Sequence, residues 1–305
     1  MRPSLLAPLL VLSLAAGSCL ASPRFDHLYA FGDSYSDNGA SDQLTREMLA
    51  QQVKDAQRLP GDLYWKGRWS NGPTAVEVLA QELDLALSDF AVGGAKSGHN
   101  NYYAWMTPYR DTGVSGQIDA YLTSAQGGKA DPQALYFIFI SANDFFEYAD
   151  FAHKEPVADL AASSLDNIRS AVGRLAKAGA RHFMVVGSTD LSHGPAVVAG
   201  GQAEQARTYQ QLLQQQLPGR LVADGKQWGV DITYFDHIAF SDRLRRNAAE
   251  EGLSQLDQPC QPTYPQVQTA CSRPDAYFYW DEWHPTRKVH ALAGKAMAKA
   301  LGQAQ

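Results

Sequence analysis

Short apolar runs that alternate with helix-compatible segments constrain the fold of this chain more than any other feature of its sequence. Five runs have the length and composition of buried strands, at residues 27–31, 85–92, 135–142, 182–187 and 230–235. Helical patterns occur between and after them, at residues 41–57, 74–83, 118–123, 157–179, 202–217 and 285–301. This alternation predicts an α/β fold in which helices cover both faces of a parallel sheet.

Two of these helices carry local stop signals. Gly179 occupies a position where glycine favours a helix C-cap, and Pro218 with Gly219 is predicted to end the helix over residues 202–217. Residues 98–116 are rich in glycine, tyrosine and asparagine, so we expect a long loop there.

Composition is that of a folded domain. The 305 residues are 45% hydrophobic and 19% charged, and neither a linker nor a repeat divides them. We therefore expect a single domain over residues 22–305. The formal net charge of −6 argues against a nucleic-acid partner, which would favour a basic surface.

The N-terminus has the pattern of a targeting segment. A positive start is followed by an apolar run over residues 5–16, too short for a stable bilayer span, and by small residues up to Ala21. We expect a signal peptide over residues 1–21 and a periplasmic or secreted protein. The alternative is a lipoprotein signal cut before Cys19, which would leave a lipid anchor. No later run is long enough for a transmembrane helix.

Cys260 and Cys271 are the cysteines that remain once Cys19 is removed or lipidated. They flank a proline-rich segment, where a short disulfide would suit an exported protein, although two unrelated thiols remain an alternative. No Cys-x-x-Cys or His-x-x-x-His spacing accompanies them, so we expect neither a metal ion nor a cofactor.

Ser34 stands where the first predicted strand ends and a turn of Asp, Asn and Gly begins. A serine at the edge of a parallel sheet is either a helix cap or a nucleophile. Three later stretches bear on this choice, and they contain the glycine pair Gly93-Gly94, Asn143 after the strongest strand, and Asp281 with His284.

With these four blocks in order, the chain resembles the SGNH (GDSL-type) hydrolases from about residue 27 to its last helix. The resemblance implies a flavodoxin-like α/β/α sandwich of three layers. It also implies a serine esterase with Ser34 as nucleophile, His284 as general base and Asp281 as the carboxylate that holds the imidazole. Neither a Gly-x-Ser-x-Gly elbow nor a phosphate-binding loop is present.

The resemblance further implies three donors for the oxyanion: the N–H of Ser34, the N–H of Gly94 and the side-chain amide of Asn143. Gly93 is the alternative to Gly94. Asp89 stands where many relatives carry Asn, which leaves the support of the glycine turn open.

The resemblance also implies that the substrate is an ester of a small molecule. Trp283, Tyr102, Tyr103 and Trp105 are expected at the pocket, where aromatic rings could stack on sugars, line an acyl tunnel or surround a quaternary ammonium. The chain looks most similar to bacterial secreted hydrolases of short-chain and choline esters, and we favour choline esters such as acetylcholine. The alternatives are a lipase, phospholipase or acyltransferase, a carbohydrate acetylesterase, and an inactive binding domain.

Overall fold

A computed structural model describes residues 25–303. The predicted signal peptide over residues 1–21 and the anchor site at Cys19 lie outside the described residues. No helix within 25–303 combines the length and apolar character needed to cross a bilayer.

The described part of the chain contains a central sheet of five parallel strands in the order β2-β1-β3-β4-β5. They are β1 (His27–Gly32), β2 (Ala86–Asp89), β3 (Leu135–Phe139), β4 (His182–Val186) and β5 (Asp231–Phe235). A separate pair consists of β6 (Gln255–Pro259) and β7 (Tyr277–Tyr279). The strand order is that of flavodoxin-like folds, which confirms the predicted fold class.

Nine α-helices lie within residues 25–303. They are α1 (Ala40–Ala50), α2 (Ala75–Glu82), α3 (Val114–Ser124), α4 (Ala142–Asp150), α5 (Val157–Ala178), α6 (Pro195–Ala199), α7 (Ala203–Trp228), α8 (His237–Arg246) and α9 (Arg287–Gln303). Apolar residues of α3, α4, α5 and α7 form one core on one face of the sheet, and those of α2, α8 and α9 form another on the opposite face.

Strand β3 lies in the middle of the sheet and contacts both cores. Tyr136 and Ile138 belong to one core, while Leu135, Phe137 and Phe139 belong to the other. All five are buried, as expected for a parallel strand that is covered on both faces.

Helix α7 differs from its prediction, because it continues through Pro218 to Trp228. Leu213, Leu217 and Leu221 follow one another at intervals of four residues, and all three are buried in the same core. A proline inside a helix costs about 3 kcal/mol, and burial of each leucine contributes about 1.5–3 kcal/mol. Packing on both sides of Pro218 therefore outweighs the local stop signal.

Helix α3 also begins earlier than predicted, at Val114, inside the segment 98–116 that we expected to be a loop. A residue outside the helix stabilises its first turn, because the Val114 N–H donates to the Lys96 carbonyl at 3.1 Å. By contrast, the prediction for Gly179 is confirmed, because Gly179 caps the C-terminus of α5 with φ 126°.

Candidate active site

Ser34 lies in the turn that follows β1. Asp33 closes this turn, because its carboxylate accepts the Tyr35 N–H at 3.0 Å and its carbonyl accepts the Asp37 N–H at 3.0 Å. Ser34 does not cap α1, which begins only at Ala40. Its side chain lines a cavity at the carboxyl edge of the sheet, between β1 and β3, where the strand order reverses. Ligands of open α/β sheets bind at such points.

His284 and Asp281, from the segment before α9, meet Ser34 at this edge. His284 Nε2 lies 2.8 Å from Ser34 Oγ, and His284 Nδ1 lies 2.8 Å from Asp281 Oδ2. Asp281 is fully buried and His284 is 7% exposed. The structure thus aligns a hydroxyl, an imidazole and a carboxylate in hydrogen-bonding contact.

The Asp281 carboxylate accepts hydrogen bonds from several donors. Oδ1 accepts the backbone N–H groups of Trp283 at 2.8 Å and His284 at 2.6 Å, and Oδ2 accepts the Tyr64 hydroxyl at 2.6 Å. Burial alone would raise the pKa of Asp281, but the charge of His284 and these hydrogen bonds lower it below its ordinary value. Asp281 is therefore an anion next to the imidazole at neutral pH.

Aromatic residues fix the position of His284. The Trp69 ring lies 5.3 Å from the imidazole and the Tyr35 ring 5.9 Å from it, measured between centroids. The Tyr35 hydroxyl donates to the Trp283 carbonyl at 2.8 Å. These contacts leave the imidazole little freedom to turn away from Ser34.

Asp37 connects the segments around the site. Its buried carboxylate accepts N–H groups at the start of α1, from Gly39 at 2.9 Å and Ala40 at 2.8 Å. It also accepts the Gly93 N–H at 2.9 Å and the Trp69 indole N–H at 3.3 Å. One side chain thus joins the turn after β1, the glycine turn after β2 and the loop that carries Trp69.

The two glycines of the second turn differ in their hydrogen bonds. The Gly93 N–H is taken up by Asp37 and by the Ser41 hydroxyl. The Gly94 N–H has no acceptor among the described residues, and Gly94 lines the cavity. A Cβ at Gly94 would lie 2.3 Å from Asn101 Oδ1, and the φ of +81° also favours glycine. Of the two, Gly94 is the one with a free N–H at the cavity.

Asn143 stands in the first turn of α4, a helix that the sequence did not predict. Its Nδ2 donates to the Ala95 carbonyl at 3.0 Å. An amide nitrogen has two hydrogens, so a second N–H remains for a ligand in the cavity. The Ser34 N–H likewise has no acceptor within residues 25–303. Ser34, Gly94 and Asn143 thus each have an N–H that no residue of the described structure accepts, and all three residues line the same cavity.

Asp89 supports the glycine turn through one oxygen of its buried carboxyl group. Its Oδ1 accepts the Ala91 N–H at 2.9 Å, and its Oδ2 is buried without a hydrogen-bond partner in the described structure. Burial raises the pKa of Asp89 well above its ordinary value. A protonated carboxyl has the shape and the neutrality of the Asn that the family resemblance implies here.

The cavity has a volume of about 380 Å³. Tyr102, Tyr103 and Trp283 line it, as predicted. Trp105 does not line it, because it packs instead against the apolar cluster that contains Leu44, Met48, Val92 and Met106. The other lining residues are Ser34, Leu59, Pro60, Gly61, Tyr64, Trp69, Gly94, Asn143, Phe146, Asp150, Asp281 and His284.

Asp150 is a lining residue for which the sequence held no signal. It is exposed at the end of α4, and its Oδ2 accepts the Tyr102 hydroxyl at 2.9 Å. Asp150 and Asp281 are the charged carboxylates at the cavity, and no Lys or Arg of residues 25–303 lines it. The cavity therefore combines aromatic walls with negative charge.

A disulfide joins Cys260 and Cys271. The loop that it closes contacts the site through Glu282, whose carboxylate accepts the backbone N–H groups of Thr263 at 2.8 Å and Tyr264 at 3.1 Å. Because Glu282 lies between Asp281 and His284 in the chain, these hydrogen bonds hold the disulfide loop against the segment that carries the imidazole.

Several known proteins resemble this chain in sequence. A family model described as GDSL-like Lipase/Acylhydrolase matches residues 28–297. The thermolabile hemolysin of Vibrio parahaemolyticus is 28% identical over 91% of this chain and 64% of its own length. The phosphatidylcholine-sterol acyltransferase of Aeromonas hydrophila is 26% identical over 61% of this chain and 51% of its own length. The chain thus spans about half to two thirds of the length of these relatives.

Among solved structures, the acetylxylan esterase Axe2 from Geobacillus stearothermophilus is similar with a TM-score of 0.44 and 12% identity. The similarity covers 92% of this chain and 96% of that one.

Proposed function

Because this chain belongs to the GDSL-like lipase and acylhydrolase family, we propose that it is a serine esterase that hydrolyses carboxylic esters through an acyl-enzyme on Ser34. The observation that carries the proposal is the 2.8 Å contact between Ser34 Oγ and His284 Nε2, with Asp281 behind the imidazole. A hydroxyl that contacts an imidazole oriented by a carboxylate is activated for attack on a carbonyl carbon.

The reaction has two symmetrical halves. His284 Nε2 takes the proton of Ser34 as the Oγ bonds to the ester carbon, and the N–H groups of Ser34, Gly94 and Asn143 hold the oxyanion. The oxyanion then collapses, the bond to the alcohol breaks, and His284 gives its proton to the departing oxygen. Water then attacks the acyl carbon while His284 takes its proton, and collapse of this second oxyanion breaks the bond to Ser34 Oγ, returns the proton to Ser34 and releases the acid.

Ser34→Ala tests the catalytic assignment. We expect hydrolysis of p-nitrophenyl acetate to be abolished while the melting temperature stays near that of the wild type, because only one oxygen atom is removed. A Ser34→Ala variant that keeps the full rate would refute the proposal.

For the substrate, we propose short-chain choline esters such as acetylcholine. The aromatic rings of Tyr102, Tyr103 and Trp283 at the cavity support a quaternary ammonium, since each cation–π contact contributes about 0.5–2 kcal/mol. The carboxylate of Asp150 adds negative charge on the same side. A volume of about 380 Å³ is near the lower end of small-molecule pockets and suits a short acyl group.

A pair of matched esters tests this assignment. Acetylcholine and 3,3-dimethylbutyl acetate have the same shape, but a carbon atom replaces the cationic nitrogen in the second. We expect kcat/KM to favour acetylcholine by about threefold to thirtyfold, from one cation–π contact. Asp150→Asn should reduce this preference and leave the rate on the neutral ester unchanged, whereas Asp166→Asn, at an exposed carboxylate of α5, should alter neither.

Equal rates on the two esters would remove the choline assignment and leave the esterase assignment intact. A second candidate is the deacylation of a choline phospholipid or transfer of its acyl group, which the similarity to the phosphatidylcholine-sterol acyltransferase of Aeromonas hydrophila favours. Release of fatty acid from phosphatidylcholine vesicles, faster than acetylcholine hydrolysis, would establish this second candidate instead.

We also propose that the protein is exported. The disulfide between Cys260 and Cys271 supports this, because such bonds persist in oxidising compartments. N-terminal sequencing of the exported form should find Ser22 as its first residue. A lipidated Cys19 at the N-terminus would show the anchored alternative, and an uncleaved chain in the cytosol would refute export.

A further inference from the structure

Tyr64 contacts the carboxylate of the proposed triad from a different part of the chain. Its hydroxyl donates to Asp281 Oδ2 at 2.6 Å, and its ring lies 5.9 Å from that of Trp69. Tyr64 also lines the cavity, next to Leu59, Pro60 and Gly61. The wall of the cavity is therefore hydrogen-bonded directly to Asp281.

The two oxygens of Asp281 are held in different ways. Oδ1 accepts the N–H groups of Trp283 and His284, which belong to the same short turn as Asp281 itself. Oδ2 lies 2.8 Å from His284 Nδ1, which is also 3.0 Å from Oδ1, and Tyr64 donates to Oδ2 from outside that turn within residues 25–303. The Tyr64 hydroxyl thus competes with the imidazole for the charge on one oxygen.

Tyr64 keeps its proton throughout the working range of an esterase. Burial, and then the charge of Asp281, raise the pKa of Tyr64 far above its ordinary value. The hydroxyl is therefore a permanent donor, and hydrogen bonds to ionised carboxylates are among the stronger ones in proteins.

From these contacts we propose that Tyr64 is a positioning residue that acts through Asp281 and limits the basicity of His284. The hydroxyl draws negative charge toward itself on Oδ2, which leaves less charge to stabilise a protonated imidazole. It also prevents rotation of the carboxylate away from His284 Nδ1. The inference rests on the proposed esterase mechanism and adds to it a residue that acts on Asp281 and, through it, on His284.

Other titratable groups surround His284 and must be distinguished from Tyr64. They are Tyr35, Asp33 and His290, besides Asp281. Burial raises the pKa of Asp33 to about 7, and burial lowers that of His290 to about 3. Because these groups are unchanged in a Tyr64 variant, a difference between its pH profile and that of the wild type reports on the Tyr64 hydroxyl alone.

The test is Tyr64→Phe, which removes one oxygen and keeps the ring against Trp69. We expect the pH of half-maximal kcat/KM on p-nitrophenyl acetate to rise by about half a unit to one unit, because the imidazolium is stabilised. KM should stay within about twofold, since the hydroxyl is engaged by Asp281 and not by the substrate. Proton NMR titration of the His284 Nδ1–H should show the same rise without turnover.

Tyr148→Phe is the matched control. The Tyr148 hydroxyl donates to the Glu155 carbonyl at 2.8 Å, outside the cavity, so its removal costs one hydrogen bond without reaching Asp281. Its pH profile should equal that of the wild type. A Tyr64→Phe profile with an unchanged midpoint, by rate and by NMR, would overturn the inference even if the rate fell. Labelling of Ser34 by a fluorophosphonate in the wild type separates this outcome from failure of the esterase mechanism, in which Ser34 would not react.

Discussion

Replacement of Asn143 by Ala should remove one donor to the oxyanion and leave the protein folded. Asn143 is 7% exposed, and one of its two amide hydrogens is donated to the Ala95 carbonyl at 3.0 Å. The other has no acceptor among the described residues, so it is free for an oxyanion. Asn143→Ala removes both hydrogens and introduces no charge.

The two losses have different magnitudes. Loss of one oxyanion donor typically raises the barrier by about 2.7–4 kcal/mol, which lowers kcat by roughly 10²–10³-fold. Loss of the hydrogen bond to Ala95 should cost about 0.5–1.5 kcal/mol of folding free energy. The protein should therefore remain folded while its turnover nearly stops. KM should change little, because the donor acts mainly in the transition state.

The assay is steady-state hydrolysis of p-nitrophenyl acetate, with unfolding followed by circular dichroism. Asn167→Ala is the control. Asn167 lies on α5, away from the cavity, and its side-chain amide donates to the Ser97 hydroxyl at 3.0 Å. We expect this control to lose stability and to keep its kcat. A folded Asn143→Ala variant whose kcat stays within about threefold of the wild type would refute the oxyanion role of Asn143.

Two predictions concern buried carboxyls. Burial raises the pKa of Asp89 well above its ordinary value, so folding requires the uptake of a proton above about pH 4. Asp89→Asn removes this requirement and should therefore raise the melting temperature at pH 8, by an amount that shrinks as the pH falls toward about 4. A rise in melting temperature that is the same at both pH values would contradict this prediction. Burial alone would raise the pKa of Asp190, but His193, Ser241 and Arg245 lower it to about 2. Asp190→Asn should therefore cost about 2 kcal/mol of unfolding free energy at pH 7, and the difference from the wild type should disappear as the pH falls from about 4 to about 2. Denaturant unfolding at several pH values measures it, and a loss that persists at pH 2 would show that the charge of Asp190 is not its cause.

The sheet could be predicted because its strands are recognised locally. Each strand is a short apolar run, and the alternation with helices indicates parallel pairing without knowledge of any long-range contact. The same local reasoning was wrong at Pro218. Helix α7 continues through this proline because leucines on both sides of it are buried in the core. It also missed α4, because the predicted strand over residues 135–142 absorbed the start of that helix.

The residues of the candidate site likewise fall into two groups, those that a short motif identifies and those whose contacts only the fold creates. Ser34, Asn143, Asp281 and His284 could be predicted as neighbours because each stands in a short motif, and all four line one cavity although Ser34 and His284 lie 250 positions apart. Tyr64 and Asp150 were missed because their roles depend on contacts with Asp281 and Tyr102 that only the fold creates. Trp105 was misplaced for the same reason, since an aromatic residue in a loop carries no signal that tells a cavity wall from an apolar cluster.

The most direct measurement is to map where a fluorophosphonate bonds to the protein. The mechanism requires that Ser34 be the residue whose oxygen is activated, so peptide mass spectrometry should find one adduct, on Ser34. Labelling should disappear in Ser34→Ala and slow greatly in His284→Ala, because the imidazole would no longer take the proton. An adduct on another residue, or equal labelling without His284, would contradict the account.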